Sequence, residues 1–362
     1  MGIVKYSLYA DNSFSLPWLL YTESLKVTSP HIHFFMRPRT QLAILLLLLP
    51  PVLGELLSGS APPVVFFNPF TFVLLVLLYG CGTLIIRELR VRWSLQWSIV
   101  FLAVAYGIME EGLMVKSFFN PGWVDLGTLS GYGMAFGVQW PWTLTLIAYH
   151  ATVSTLIPIA ILDLLMPELK YRTVVGKRGF IACAAGLIGV TLLGMAFFGT
   201  PTADGMIPYY PPSAVLLGAF ICVALLIWLA YRFRENRVQT AGRVLSPWVF
   251  GLLAFLFMAA NLLIPNALAS LGIVPAITVA VQLAGIALVA AVVYFQLLNR
   301  NFSIRHIVAL VTGSLLFWIM LTPLSEFGMI GNPDPTTGMF LVGIVTLGLL
   351  VYWRRVVLGR QG

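Results

Sequence analysis

About ten separate stretches of this sequence are long and apolar enough to cross a lipid bilayer, and that repetition limits the fold more than any other feature. A bilayer core has no water to satisfy backbone N–H and C=O groups, so segments that cross it outside a closed barrel must be α-helices. The stretches lie near 41–58, 67–86, 97–117, 140–165, 180–199, 213–231, 246–264, 275–298, 306–327 and 338–354. Composition agrees: 59% of residues are hydrophobic and 9% charged, against roughly 25% charged in a soluble domain. The expected fold is therefore all-α, a polytopic integral membrane bundle of about ten transmembrane helices. It forms one membrane domain over residues 40–357, between an N-terminal tail (1–39) and a short C-terminal tail (358–362). The N-terminal tail has no sustained apolar run and no signal-peptide cleavage pattern. It reads as a disordered cytoplasmic tail, or as an early start ahead of Met36, and His31 and His33 are left out of any site.

The net charge of +8 is explained by where the basic residues fall. Arg37 and Arg39 precede the first span; Arg87, Arg90 and Arg92 follow the second; Lys170, Arg172, Lys177 and Arg178 follow the fourth. The same alternation continues through Arg232–Arg243, Arg300–Arg305 and Arg354–Arg360, so every basic residue but Lys116 belongs to one side. Cytoplasmic loops carry that excess, which predicts a plasma-membrane protein with both termini in the cytoplasm. The charge is a topology signal, and nucleic acid is not an expected partner. Cys81, Cys183 and Cys222 all lie within spans and form no CxxC pair, so they read as small packing residues.

The outer loops are rich in Pro, Gly, Asn and aromatics. Two of them, TPTADGMIPYYPP (200–212) and TPLSEFGMIGNPDP (322–335), share a Thr-Pro, acid, Gly-Met-Ile order, which either marks a duplicated hairpin of spans 5–6 and 9–10 or reflects shared turn chemistry. The long 120–142 loop carries Trp123, Trp140 and Trp142, suited to an interfacial position.

Polar residues inside the spans are the functional signal. A charged side chain near the membrane centre costs roughly 2.5–3.5 kcal/mol on the insertion scale, so an intramembrane acidic pair calls for a purpose. Glu110 and Glu111 sit in AVAYGIMEEGLMVKSFFNPGWVD (103–125). At about 1.5 Å per residue they lie roughly 10 Å below the outer surface, and His150 in the next span lies at roughly 15 Å. These three are the candidate catalytic residues, with Lys116, Asn261 and Gln282 as supporters around an outward-opening polar cavity walled by spans 3 and 4. Adjacent glutamates point about 100° apart on a helix, so one is expected to face the cavity and the other to bond a neighbouring span. Lys116 is expected to snorkel or to pair with an acid, Glu55 and Glu326 to meet water at the outer edge, and Arg87–Glu88 to anchor at the inner interface.

A carboxylate and an imidazole at one depth form a general acid/base pair able to activate water. The same pair on adjacent helices also suits proton coupling in a carrier of small molecules. A zinc site is less favoured, since catalytic zinc takes about three protein ligands and the spans offer one inner histidine and no HExxH. No Walker A, GxGxxG or GxSG motif is present, and no cofactor or metal is expected. Three classes stay open: a hydrolase acting on a membrane peptide or lipid-linked substrate, a secondary transporter or proton-coupled permease, and a non-catalytic scaffold.

The paired glutamates with a histidine in the next span resemble the glutamate-dependent intramembrane proteases, the CAAX-protease and bacteriocin-processing superfamily. That resemblance implies Glu110 and Glu111 as the motif glutamates and His150 as the first motif histidine. The sequence departs where the family has an arginine four residues after the second glutamate, since Val115 stands there and Lys116 follows one step late. Phe257 likewise occupies the histidine position of an HxxxN pair ending at Asn261. Over its whole length the chain is similar to uncharacterised prokaryotic multi-pass membrane proteins, through Gly54–Ser60 (GELLSGS), the Leu77–Leu89 stretch and EEGLMVKSFFNP. That similarity implies the span assignment and no activity.

Overall fold

A computed structural model describes residues 37–202, 205–235 and 240–360. The N-terminal tail up to residue 36, with His31 and His33, lies outside the described residues, as do the last two residues of the C-terminal tail. Nine of the described helices have the length and composition to cross a membrane. They are α1 (Pro38–Leu56), α2 (Pro69–Arg92), α4 (Trp140–Leu165), α5 (Lys177–Phe197), α6 (Ser213–Arg232), α7 (Pro247–Ser270), α8 (Pro275–Leu297), α9 (Ile304–Glu326) and α10 (Met339–Gly359). The tenth, α3, is shorter: Ile99–Ile108 continues as a π-helical turn over Met109–Met114. It stops before the expected residue 117 because Lys116 adopts φ +66°, a left-handed conformation no α-helix contains.

The all-α polytopic bundle expected from the sequence is the observed fold, with almost no sheet. Two short antiparallel hairpins decorate the loop ends: β1 (Met134–Ala135) with β2 (Val138–Gln139), and β3 (Gly199–Thr202) with β4 (Gly205–Pro208). The second hairpin has no counterpart in the 327–338 connection, which is built of turns. Helices α9 and α10 pack together extensively, whereas α5 and α6 meet little, so the two hairpins differ in their packing.

Helix α4 is the hub, packed against α1, α2, α3, α7, α8, α9 and α10. In its most apolar window 61% of residues are buried, against 11% in α6 and in α8, whose outer faces show Leu217, Ile221, Trp228, Ile277 and Leu288. An inner group (α1–α4 and α9) is thus wrapped by helices that are apolar all round, the pattern a lipid-facing helix requires. At the end of α2 that carries the basic residues, Arg87 and Glu88 are 1% and 0% exposed, enclosed by protein rather than open at an edge. Arg87 donates to the carbonyls of Leu169 and Arg172, Glu88 accepts from the Val174 N–H at 2.8 Å, and Arg90 pairs with Asp163. These bonds tie the 167–176 loop across α2 and α4.

Candidate functional site

Four helices lose regular α-geometry, and among the described residues every π-helical turn carries part of one polar cluster. The turns are Val52–Leu56 in α1, Val76–Gly80 in α2, Met109–Met114 in α3 and His150–Leu156 in α4. They bring Glu55, Tyr79, Glu110, Glu111, His150 and Ser154 together. Isolated π turns are frequent at functional sites, since they turn side chains and carbonyls out of the regular ladder. Local sequence helps explain them. Pro50 and Pro51 precede the first, and Pro158 follows the last with no N–H to offer the Ser154 carbonyl. That carbonyl accepts instead from the Thr83 hydroxyl at 3.0 Å. The Gly54 carbonyl accepts from the Tyr149 hydroxyl at 2.6 Å. Gly54 itself must lack a side chain, because a Cβ there would stand 2.8 Å from Ser154 Oγ and 2.9 Å from the Tyr79 ring.

The imidazole of His150 lies between the two glutamates. Its Nε2 is 3.1 Å from Glu111 Oε1 and its Nδ1 is 3.1 Å from Glu110 Oε2. Sequence reasoning expected only one glutamate to face the site; both do, because the ring offers each a different nitrogen. The aligned hydrogen bond of Nδ1 runs to Ser154 Oγ at 3.1 Å, and neither oxygen of Glu110 closes an aligned hydrogen bond. The second oxygen of Glu111 accepts from the Ser117 hydroxyl, which in turn accepts from Trp142 Nε1 at 3.0 Å. Trp142 therefore braces the cluster through Ser117. Glu55, expected in water, is half-buried and accepts from the Tyr79 hydroxyl. Tyr106, one turn before Glu110 on α3, directs a buried hydroxyl with no hydrogen-bond partner toward that carboxylate.

The cluster is packed rather than open. Side-chain exposure is 1% for Glu110, 2% for His150 and 12% for Glu111, so Glu111 forms its accessible edge. An apolar groove lies between α1 and α2 and a second concavity at Arg232–Glu235, and neither is lined by the cluster. Where a cavity walled by spans 3 and 4 was expected, four helices contribute to the cluster, and Glu111 is the most exposed of the Glu110, Glu111 and His150 side chains.

The supporting residues do not join it. Lys116 is buried and donates to the Met195 carbonyl at 2.9 Å, with its ammonium over the Tyr210 ring; it neither snorkels nor reaches the acids. Asn261 donates to the Thr145 carbonyl at 2.9 Å, and Gln282 donates to Pro141 O and Thr145 Oγ1. Both therefore fasten α7 and α8 to the outer half of α4. Glu326 caps the next helix by accepting from the Phe340 N–H. Tyr79, Tyr106, Ser117 and Ser154 escaped sequence reasoning, because hydroxyl residues are common in spanning helices and carry no charge signal. Only their spacing from Glu110 (four residues from Tyr106) and His150 (four residues to Ser154) placed them on the right face.

Fold and site together define the class, a polytopic α-helical membrane protein holding a buried Glu–Glu–His cluster. The chain belongs to an uncharacterized membrane protein family, which it matches over residues 44–357, from within α1 to within α10. No curated protein and no solved structure matches it.

Proposed function

We propose that the protein is a glutamate-dependent intramembrane hydrolase cleaving a membrane peptide near the outer leaflet. The observation that carries this reading is the 3.1 Å contact between Glu111 Oε1 and His150 Nε2, within the reach that general acid–base catalysis needs. Glu111, at the accessible edge, takes a proton from water, and the water oxygen attacks the substrate carbonyl carbon. His150 returns a proton to the leaving amine and is reprotonated from Glu111 through their shared hydrogen bond. Ser117 and Ser154 hold the two groups in register, and Glu110 balances charge on the ring. Both termini are cytoplasmic in this reading, and the cell membrane is the site of action.

The test uses the purified protein in nanodiscs with quenched fluorescent single-span peptides labelled across the outer third. Glu111→Gln is expected to lower the cleavage rate about 10²–10⁴-fold, the range of general acid–base contributions. Its melting temperature should stay near wild type. A wild-type rate no higher than that of Glu111→Gln overturns the reading. The closed packing favours a second reading, a proton-coupled carrier that must open to load. Uptake driven by a pH gradient in proteoliposomes, lost in Glu111→Gln, is its signature.

A further inference from the structure

The Glu110 carboxylate is fully buried, lacks an aligned hydrogen bond on either oxygen, and among the described residues has only the His150 ring, and no Lys or Arg, within ion-pair distance. A buried ionised carboxylate left in that condition is costly, so the site as built has capacity for a positive partner. Lys116, the nearest Lys or Arg along the chain, is turned away to the Met195 carbonyl. One ligand atom each from Glu110, Glu111 and His150 lies within 4.8 Å of the others. Ligands about 2.1 Å from a tetrahedral ion sit about 3.4 Å apart, so closing these atoms around one ion is a matter of side-chain rotation.

From this geometry we infer that Glu110, Glu111 and His150 bind one divalent transition-metal ion of the zinc class. His150 Nε2 and Glu111 Oε1 supply two ligands, and Glu110, whose Oε2 stands beside Nδ1 at 3.1 Å in this structure, turns toward Nε2 to supply the third, leaving a fourth position open as in hydrolytic zinc sites. The surroundings match what such ligands need. A metal-binding imidazole is oriented by a hydrogen bond from its other nitrogen, and Nδ1 has Ser154 Oγ at 3.1 Å. A ligating carboxylate is held through its free oxygen, which Ser117 provides for Glu111 and Trp142 reinforces. Tyr106, buried and unpartnered beside Glu110, completes the outer layer. One imidazole and two carboxylates favour Zn²⁺, Mn²⁺ or Fe²⁺ over the softer copper ions. A count of histidines weighs against zinc, but two of the three ligands here are carboxylates.

The inference uses the same cluster as the hydrolytic reading without depending on hydrolysis. Where both hold, the ion takes over the activation of water assigned to Glu111. The experiment strips the full-length protein in nanodiscs with EDTA, reloads it with Zn²⁺ or Co²⁺, and removes excess ion by gel filtration. Expected are about one ion per chain and a cobalt spectrum of low coordination number. Zn²⁺ should also raise the melting temperature, as any ligand of the native state does. Glu110→Gln and His150→Gln should lose the bound ion and the spectrum, while Asn261→Ala keeps both. Should the site variants not fold, wild-type calorimetry decides: binding must release protons, seen as an enthalpy that varies with the buffer's own ionisation. Wild-type protein retaining no stoichiometric ion, or equal retention in folded Glu110→Gln, overturns the inference. Ion binding without peptide cleavage removes only the hydrolytic reading, and cleavage by stripped protein that binds no ion removes only this one.

Discussion

At the scale of single residues, placement separates functional from structural charge. Glu110, Glu111 and Lys116 lie within seven positions of one another, yet they face different neighbours. The glutamates meet an imidazole, and the lysine meets a carbonyl and a phenol ring. Replacing Lys116 by Met removes a charged hydrogen-bond donor and also the cost of burying it. The expected change in stability is therefore below about 2 kcal/mol, with peptide cleavage and ion content near wild type. Thermal melts with both assays check this, and a large loss of either activity with an unchanged melt would return Lys116 to the site. Ser117→Ala belongs to the opposite class. It frees one oxygen of Glu111, so it should weaken ion retention while changing the melt little; second-shell losses run to about 10–100-fold in affinity.

At the scale of helices, the site depends on breaks in regular geometry. The Ser154 carbonyl has no partner at the fourth residue on, because Pro158 carries no N–H, and Thr83 on α2 fills the vacancy. Thr83→Val should cost about 1–3 kcal/mol, the penalty of a buried acceptor left alone. Restoring the missing donor with Pro158→Ala should reduce that loss, and a double-mutant cycle on melting free energies measures the coupling. Helices α1 and α2 meet so closely at Gly80 that a Cβ there would stand 2.3 Å from the Leu47 carbonyl oxygen. Backbone cannot yield as a flexible side chain does, so Gly80→Ala should separate the two helices that carry Glu55 and Tyr79.

At the scale of the whole molecule, one central helix organises the bundle and two polar layers pin it. One layer is the cluster around His150; the other is Arg87, Glu88, Arg90 and Asp163 holding the 167–176 loop. Asp163→Ala leaves the mostly buried Arg90 without its carboxylate and should cost about 3–5 kcal/mol, read from chemical or thermal unfolding. The one-sided distribution of basic residues predicts orientation. In a background with Cys81, Cys183 and Cys222 replaced, Ser130→Cys should react with a membrane-impermeant thiol reagent on intact cells. Glu168→Cys should react only after permeabilisation. The reverse pattern would invert the topology drawn from the basic loops.

Nine of the ten expected spans, to within about six residues at their ends, and the acidic pair with its histidine were legible in the sequence. Hydropathy and charge act locally, and a helix in lipid must satisfy its own backbone whatever its neighbours do. Only the tertiary structure decided which polar groups meet. Glu55 joined the cluster and Lys116 left it through helix rotation and π turns, which local periodicity does not encode. Asn261 and Gln282 became fasteners for α4 because the α7 and α8 faces happen to meet Thr145. The sequence by itself determined that charge would be buried; the packing of α1 to α4 determined what that charge would touch.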